Sequence, residues 1–328
     1  MKVLVTGANG FTGSYLAKHL IEKGYEVRGL VRENANMDLL KDINIELVYG
    51  DLADGSPMDE ATNDIDIVFH IAAAYRVEGV PKKYFWDVNF NGTRKMLEAA
   101  KRSGVKRFVH CSTVGVQGNI KNPPAKEEDP YGPGDYYQES KVEGEKFALE
   151  FFKKEKMPGS IVRPVGIYGP GDMRFLKLFK SIYNGRFRMI GSGNVLYHLT
   201  FVEDLAAGIA LAGEKEEALG ETFTIGGEKY LTLNELVERI AKAFGKPFKK
   251  RIKLPFWPVW FGGLLCEIVC KPFGISPPIY RRRVDFFIKD RAFDISKAKK
   301  LLGYQPKISL DEGLKRTADW YKEQGLLN

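Results

Sequence analysis

"TGANGFTG", residues 6–13, continues directly from "KVLV", residues 2–5. The apolar run reads as a buried strand and the residues after Gly13 as a helix. Gly7, Gly10 and Gly13 stand where one would turn into the other. The first turn of a helix presents unpaired N–H groups and the positive end of its dipole, which together attract a phosphate. A pyrophosphate reaches them only where no side chain blocks its approach. Gly7 then permits the tight turn, Gly10 the close approach, and Gly13 the packing of helix on strand, with Phe11 and Thr12 opening the helix between them. Glycines also serve ordinary turns. Their position at the head of an alternating chain makes dinucleotide binding the stronger reading.

That alternation runs through the N-terminal half. "KVLVT" (2–6), "YEVRGLV" (25–31), "IELVYG" (45–50), "IDIVFHIA" (65–72), "KRFVHCS" (106–112) and "GSIVRP" (159–164) are nearly continuous apolar runs, the pattern of parallel strands covered on both faces. Helical patterns at 12–23, 82–103 and 136–156 separate them, so a doubly wound α/β sheet is expected. Beyond about residue 165 the pattern loosens. Helices are expected at 172–184, 203–213, 232–244 and 310–324, with one strand at "ETFTIG" (221–226). The expected division is a main domain of 1–165 plus about 195–226, and a smaller, interleaved C-terminal lobe of about 166–194 and 227–328, which would hold the substrate.

Composition limits the function. The 328 residues are 44% hydrophobic and 28% charged, with net charge +8. Cationic residues occur on many helices and no nucleic-acid motif accompanies them, so an anionic cofactor or substrate accounts for the balance without nucleic acid. Cys111, Cys266 and Cys270 lack metal-like spacing and read as reduced core thiols of a cytoplasmic protein. His19, His70, His110 and His198 lie too far apart for a metal motif, and no metal is expected. Met1 runs straight into the first strand, so no leader is expected. The aromatic-rich stretch "LPFWPVWFGGLLCEIVC" (254–270) lies between "KKR" (249–251) and "RRR" (281–283). It is too short and too interrupted to span a bilayer. It reads either as a helix of the substrate lobe or as a peripheral contact with a membrane surface.

The GxxGxxG spacing resembles the extended short-chain dehydrogenase/reductase superfamily, and so do "GDLAD" (50–54), "HIAAAYR" (70–76), "VNFNGTRKMLEAA" (88–100), "IVRPVGIYGPGD" (161–172), "LTFVEDLAAGIALA" (199–212) and "LGYQP" (302–306). The resemblance covers nearly the whole chain and implies a Rossmann-type sheet. It places Asp51 and Leu52 beside an adenine, lets the cofactor lie close over Ala72, Ala73 and Ala74, puts Asn89 at the asparagine of the central helix, and assigns backbone contacts with nicotinamide to Pro164 and Val165. Arg32 ends the second strand, with Arg28 nearby. A basic residue there accommodates a 2′-phosphate, so NADP is favoured, with NAD the alternative. Members commonly pair through the helices at 82–103 and 136–156, so a homodimer is expected.

"YYQESKVEGEK" (136–146) contains Tyr137 and Lys141, the one tyrosine of fifteen with a lysine four residues on. On a helix both side chains share a face. An ammonium about 4 Å from a phenol contributes roughly 4 kcal/mol at an effective dielectric of 20, about three pK units. The expectation is therefore that Lys141 draws the Tyr137 pKa down toward neutrality, where a general acid or base works best. The family places a Ser or Thr five residues before the loop glycine at the end of the fifth strand. Counting back from Gly118 gives Thr113, with Ser112 the fallback. Val114–Gln117 depart from the pattern, since many relatives carry a tyrosine there.

The resemblance implies hydride transfer between nicotinamide and a carbinol or carbonyl carbon of a small-molecule substrate. Arg32 and the apolar 254–270 stretch favour net redox chemistry on a sterol-, terpenoid- or flavonol-like compound, as in the 3β-hydroxysteroid dehydrogenase and dihydroflavonol reductase branch. The alternatives are a nucleotide-sugar epimerase or dehydratase with tightly held NAD, and a non-catalytic NAD(P)-sensing protein.

Overall fold

The computed structural model describes residues 1–55, 57–75, 79–247, 253–270 and 285–327. In chain order its strands are β1 (Lys2–Thr6), β2 (Glu26–Val31), β3 (Glu46–Tyr49), β4 (Ile67–His70), β5 (Arg107–Cys111), β6 (Gly159–Pro164), β7 (Gly166–Tyr168), β8 (Leu196–Phe201), β9 (Thr222–Ile225) and β10 (Tyr230–Thr232). The α-helices are α1 (Phe11–Glu22), α2 (Met58–Thr62), α3 (Lys82–Trp86), α4 (Thr93–Arg102), α5 (Tyr136–Lys154), α6 (Leu176–Tyr183), α7 (Val202–Glu214), α8 (Leu233–Ala243), α9 (Phe256–Cys270) and α10 (Leu310–Glu323). A π-wound segment, Asp87–Gly92, joins α3 to α4.

Seven strands form one parallel sheet in the order β3-β2-β1-β4-β5-β6-β9. Both faces are covered, which is why its strands are apolar almost throughout. Alternate residues serve opposite layers. Val3, Val5, Ile67, Phe69 and Val109 pack with Leu16 and Leu20 of α1 and Leu205 and Ile209 of α7. Leu4, Val68 and Phe108 face Leu97 of α4 and Ala148 and Phe152 of α5. The doubly wound expectation holds.

The second half departs from expectation in two places. β8 pairs with β7 and β10 in a separate three-stranded sheet, so residues 196–201 leave the main domain to which they were assigned. The strand runs straight into α7, with Phe201 as its extended N-cap. No turn residue separates them, and the stretch reads as the start of a helix. Conversely, Ile295, Ala298, Leu302 and Tyr304 join the core under the large sheet, and the Tyr304 hydroxyl donates to the Gly226 carbonyl at 2.9 Å. The C-terminal part is therefore not wholly a separate lobe. The smaller lobe has its own core, where Tyr168, Phe179, Leu236, Ile240, Leu314 and Tyr321 meet. Only Cys111 of the three cysteines is buried; Cys266 and Cys270 are half-buried on α9, contrary to the core expectation.

One buried ion pair joins α5 to the sheet. Arg163, in β6, donates through Nε to both Glu145 oxygens at 3.1 Å and through Nη1 to the Glu127 carbonyl at 2.8 Å. The Tyr131 hydroxyl donates to Glu145 at 2.8 Å, and Glu127 in turn accepts the Thr224 N–H at 2.7 Å. The side chains of Arg163 and Glu145 are 3% and 0% exposed, so removing one strands the other's charge away from water. Glu145→Ala should cost about 3–5 kcal/mol in urea unfolding. Lys83→Ala, which breaks a pair whose lysine is 80% exposed, should cost less than about 1 kcal/mol.

Candidate active site

In a doubly wound sheet the crevice lies beyond the carboxyl ends of the strands, where the strand order reverses. Here that point is between β1 and β4, which pair Thr6 with His70. The Thr6 hydroxyl accepts the N–H groups of Ile71 and Ala72, each at 3.1 Å, which leaves its proton for His70 Nδ1 at 3.0 Å. His70 Nε2 then carries the ring proton toward Thr93 Oγ1 at 3.0 Å, and Thr93 donates to the Asn89 carbonyl at 2.9 Å. Burial, aided by the Lys141 charge, pushes the His70 pKa down to about 3, so the ring is a neutral strut.

The glycines form the floor of the crevice. Gly7 has φ +67°, in the left-handed region, and a Cβ there would lie 3.0 Å from Ala72 Cα. A Cβ on Gly13 would lie 2.1 Å from the Gly7 carbonyl oxygen. Gly10 is exposed at the N-cap of α1, no side chain caps the helix, and its first turn holds no acid. The open end of α1 can therefore accept a phosphate at Phe11, Thr12 and Gly13. The Phe11 ring lies against Tyr15, with the Arg174 guanidinium 5.1 Å from its centre.

Along the rim, Arg32 is exposed at the end of β2. Arg28 is not beside it. Its Nη1 donates to the carbonyls of Glu60, Ala61 and Asn63 at 2.8–3.1 Å, and its Nη2 pairs with Glu46 at 2.8 Å. It closes the end of α2 and is removed from the cofactor reading. Asp51, half-buried after β3, accepts the Ala53 N–H at 2.9 Å. Leu52 is buried against Gly92, whose added Cβ would lie 2.8 Å from the Leu52 Cβ. Beyond β4, Ala72 is half-buried, Ala73 exposed and Ala74 buried. Asn89 binds both backbone groups of Ala74, at 2.7 and 3.1 Å, and donates to Ser140 Oγ at 2.9 Å. It holds this segment to α5 and has no free edge toward the crevice.

Tyr137 and Lys141 lie one turn apart on α5. Asp135 caps the helix by accepting the Gln138 N–H at 2.9 Å. Lys141 is 1% exposed and its Nζ donates to the Cys111 carbonyl at 2.7 Å, which fixes α5 to the end of β5. Burial pushes its pKa down to about 8, against the pull of Cys111 and Glu145. Thr113 follows on the same strand end, where its hydroxyl accepts the Gly115 N–H at 3.1 Å and acts on the Tyr137 phenol to lower its pKa. Ser112, the fallback, is buried with its Oγ unpartnered. The expected electrostatic effect is reversed. Burial first, then Tyr75, hold the Tyr137 phenol above its ordinary pKa, with the Thr113 hydroxyl opposing them. Lys141 directs its proton donor at a carbonyl instead of the phenol.

Pro164 and Val165 are buried at the end of β6, and the Val165 N–H donates to the Ile225 carbonyl at 3.1 Å. Sequence reasoning passed over two parts of the site. The Tyr75 ring stands edge-on to Tyr137 at 4.8 Å, and the Cys111 carbonyl seats Lys141. Tyr75 directly follows the alanine run, which marks it as a wall of the crevice. A backbone acceptor leaves no mark in side-chain type.

Known proteins share this fold. Residues 3–226 match the family model described as NAD dependent epimerase/dehydratase family. The chain is 30% identical to the sterol-4-alpha-carboxylate 3-dehydrogenase (decarboxylating) of Candida albicans, covering 98% of this chain and 97% of that protein. It is 28% identical to the N-acetyl-alpha-D-glucosaminyl-diphospho-ditrans,octacis-undecaprenol 4-epimerase of Escherichia coli O157:H7, covering 97% and 94%. Among solved structures, the UDP-glucuronic acid 4-epimerase of Bacillus cereus in complex with NAD superposes with a TM-score of 0.79 at 26% identity over 99% of both chains. The seven-stranded parallel sheet, the glycine turn at the switch point and these matches together show that the chain belongs to the NAD dependent epimerase/dehydratase family, as an enzyme of the extended short-chain dehydrogenase/reductase type.

Proposed function

We propose that the chain is an NAD(P)-dependent dehydrogenase or reductase acting on a secondary alcohol or ketone of an apolar, sterol- or terpenoid-like substrate. One observation carries the chemistry. A phenol, a hydroxyl and a buried ammonium, from Tyr137, Thr113 and Lys141, meet at the end of β5, one strand across β4 from the glycine turn. A dinucleotide fits the crevice because an added Cβ at Gly7 would crowd Ala72 and the first turn of α1 is uncapped. In this reading Gly7, Gly10, Phe11, Thr12 and Gly13 hold the pyrophosphate, and Asp51, Leu52, Ala72 and Ala73 border the adenosine half. Pro164 and Val165 border the nicotinamide. When bound, the nicotinamide supplies or accepts the hydride.

The chain's residues handle the proton. The raised phenol of Tyr137 is protonated at neutral pH, which suits donation to the oxygen of a carbonyl under reduction. Thr113 shares a hydrogen bond with that oxygen and steadies its negative charge. Lys141, tied to the end of β5, holds Tyr137 in place through α5. Arg32, exposed at the end of β2, supports a preference for NADP. The redox reading draws on the sterol dehydrogenase relative. The second reading, an epimerase or dehydratase of nucleotide sugars with retained NAD, draws on the B. cereus neighbour. A cofactor-sensing protein would have no use for the Tyr137–Thr113 pair.

Tyr137→Phe should lower kcat about 10²–10⁴-fold while leaving dinucleotide affinity within a factor of two or so; unchanged kcat would refute its role. Arg32→Asp should move the ratio of kcat/KM for NADP over NAD roughly ten- to hundred-fold toward NAD, and a constant ratio would remove Arg32 from the site. Mass spectrometry of ligand retained through purification separates the two readings, with NAD and a nucleoside diphosphate together indicating the epimerase or dehydratase.

Lys141 also has a pH signature. Below pH about 8 the folded and unfolded chains both hold its proton; between about 8 and the ordinary value of 10.5 only the unfolded chain does. Unfolding free energy should therefore rise with pH across that window, by at most about 3 kcal/mol. Lys141→Met should remove this rise, read as the difference between variant and parent in urea unfolding at pH 7.5 and 9.5. Parallel pH profiles would contradict the depressed pKa.

A further inference from the structure

We propose that α9 docks the protein on the surface of an anionic lipid bilayer. One face of the helix "FWPVWFGGLLCEIVC" is left uncovered by its own protein, while Phe256, Val259, Trp260 and Leu264 are half-buried. Trp257, Phe261, Leu265, Ile268 and Val269 are 65%, 53%, 62%, 59% and 61% exposed. Positions 257, 261, 265 and 268 follow the helical repeat, so they form one continuous apolar stripe, with Val269 beside it. A contiguous exposed patch of large apolar side chains marks an interaction surface. Trp257 also stands edge-on to Phe256 and Trp260, at 5.1 and 6.3 Å, in an aromatic cluster of the kind that settles at headgroup depth.

The charge of the sequence that flanks the helix argues for what covers it. Between residues 246 and 283 the sequence carries nine cations, Lys246, Lys249, Lys250, Arg251, Lys253, Lys271, Arg281, Arg282 and Arg283, against one acid, Glu267; of the nine, Lys246 and Lys253 lie among the described residues and the others, including the 249–251 and 281–283 runs, lie outside them. That excess equals the net charge of the whole chain, +8; the remaining residues hold 41 cations and 41 acids. The basic balance that appears general in the composition is thus concentrated on the sequence that brackets the exposed apolar helix. Such a combination suits an anionic bilayer, with apolar side chains entering the headgroup boundary and cations meeting lipid phosphates. The described helix is too short to span: its fifteen residues reach about 22 Å against a hydrocarbon core of about 30 Å. Among the described residues no helix is long and apolar enough to cross a membrane. The helix therefore lies along the surface.

Flotation of the full chain with vesicles tests this. With vesicles of phosphatidylglycerol and phosphatidylcholine in equal parts the protein should float at low salt, and binding should weaken severalfold at high salt as the charges are screened. The triple variant Trp257→Ser, Phe261→Ser, Leu265→Ser should bind those vesicles roughly a hundred-fold more weakly and melt at the parent temperature, since the three side chains are exposed. A second variant, Lys249→Gln, Lys250→Gln, Arg251→Gln, should lose affinity severalfold for the anionic vesicles. Recovery of the parent protein at the bottom of the gradient with anionic vesicles would overturn the proposal. So would equal flotation of the serine variant, or a dimer in sedimentation equilibrium that the serine variant converts to monomer.

Discussion

The contact between Gly13 and the Gly7 carbonyl governs the whole site. A methyl group at Gly13 would lie 2.1 Å from that oxygen, so α1 packs this closely against the end of β1 only because the position has no side chain. With the helix seated there, its uncapped first turn opens onto the gap between β1 and β4. Any shift large enough to admit a side chain would move those N–H groups out of the crevice.

The second fixed point is the Lys141–Cys111 hydrogen bond. An ammonium that is 1% exposed must satisfy its protons inside the protein, and the end of β5 supplies one acceptor. This bond fixes the height of α5 above the sheet and thereby sets Tyr137 beside Thr113. The cost of burying the charge appears in the depressed lysine pKa, and the same enclosure raises the phenol. Active sites commonly concentrate opposing perturbations of this sort. Tyr75, standing edge-on to Tyr137, adds to the enclosure from the β4 side.

How far the sequence alone reached follows from these contacts. The seven-stranded sheet was legible because strands buried on both faces must be apolar throughout, and the glycine turn because only glycine satisfies its geometry. Tyr137, Lys141 and Thr113 were legible through spacing and resemblance. The sign of the Tyr137 shift was not, because it depends on which acceptor Lys141 selects and on how much of the ring is enclosed. Arg32 was picked out by its place at the end of the second strand, but the sequence did not show that Arg28, nearby, points back to the carbonyls ending α2 while Arg32 stays on the rim. β8 was hidden because it passes into α7 without a turn residue. The exposure of α9 was equally hidden, since an apolar helix buried in a lobe and one left bare have the same composition.

In the proposed reading both parts of the site would meet on a bound dinucleotide, and its position is the most direct test. A crystal structure of the chain with NAD should place the pyrophosphate against the backbone N–H groups of Phe11, Thr12 and Gly13, with the nicotinamide ribose within hydrogen-bond reach of Tyr137 and Lys141. A dinucleotide bound away from the first turn of α1, or one whose nicotinamide end lies remote from Tyr137, would contradict the assignment of this crevice as the active site.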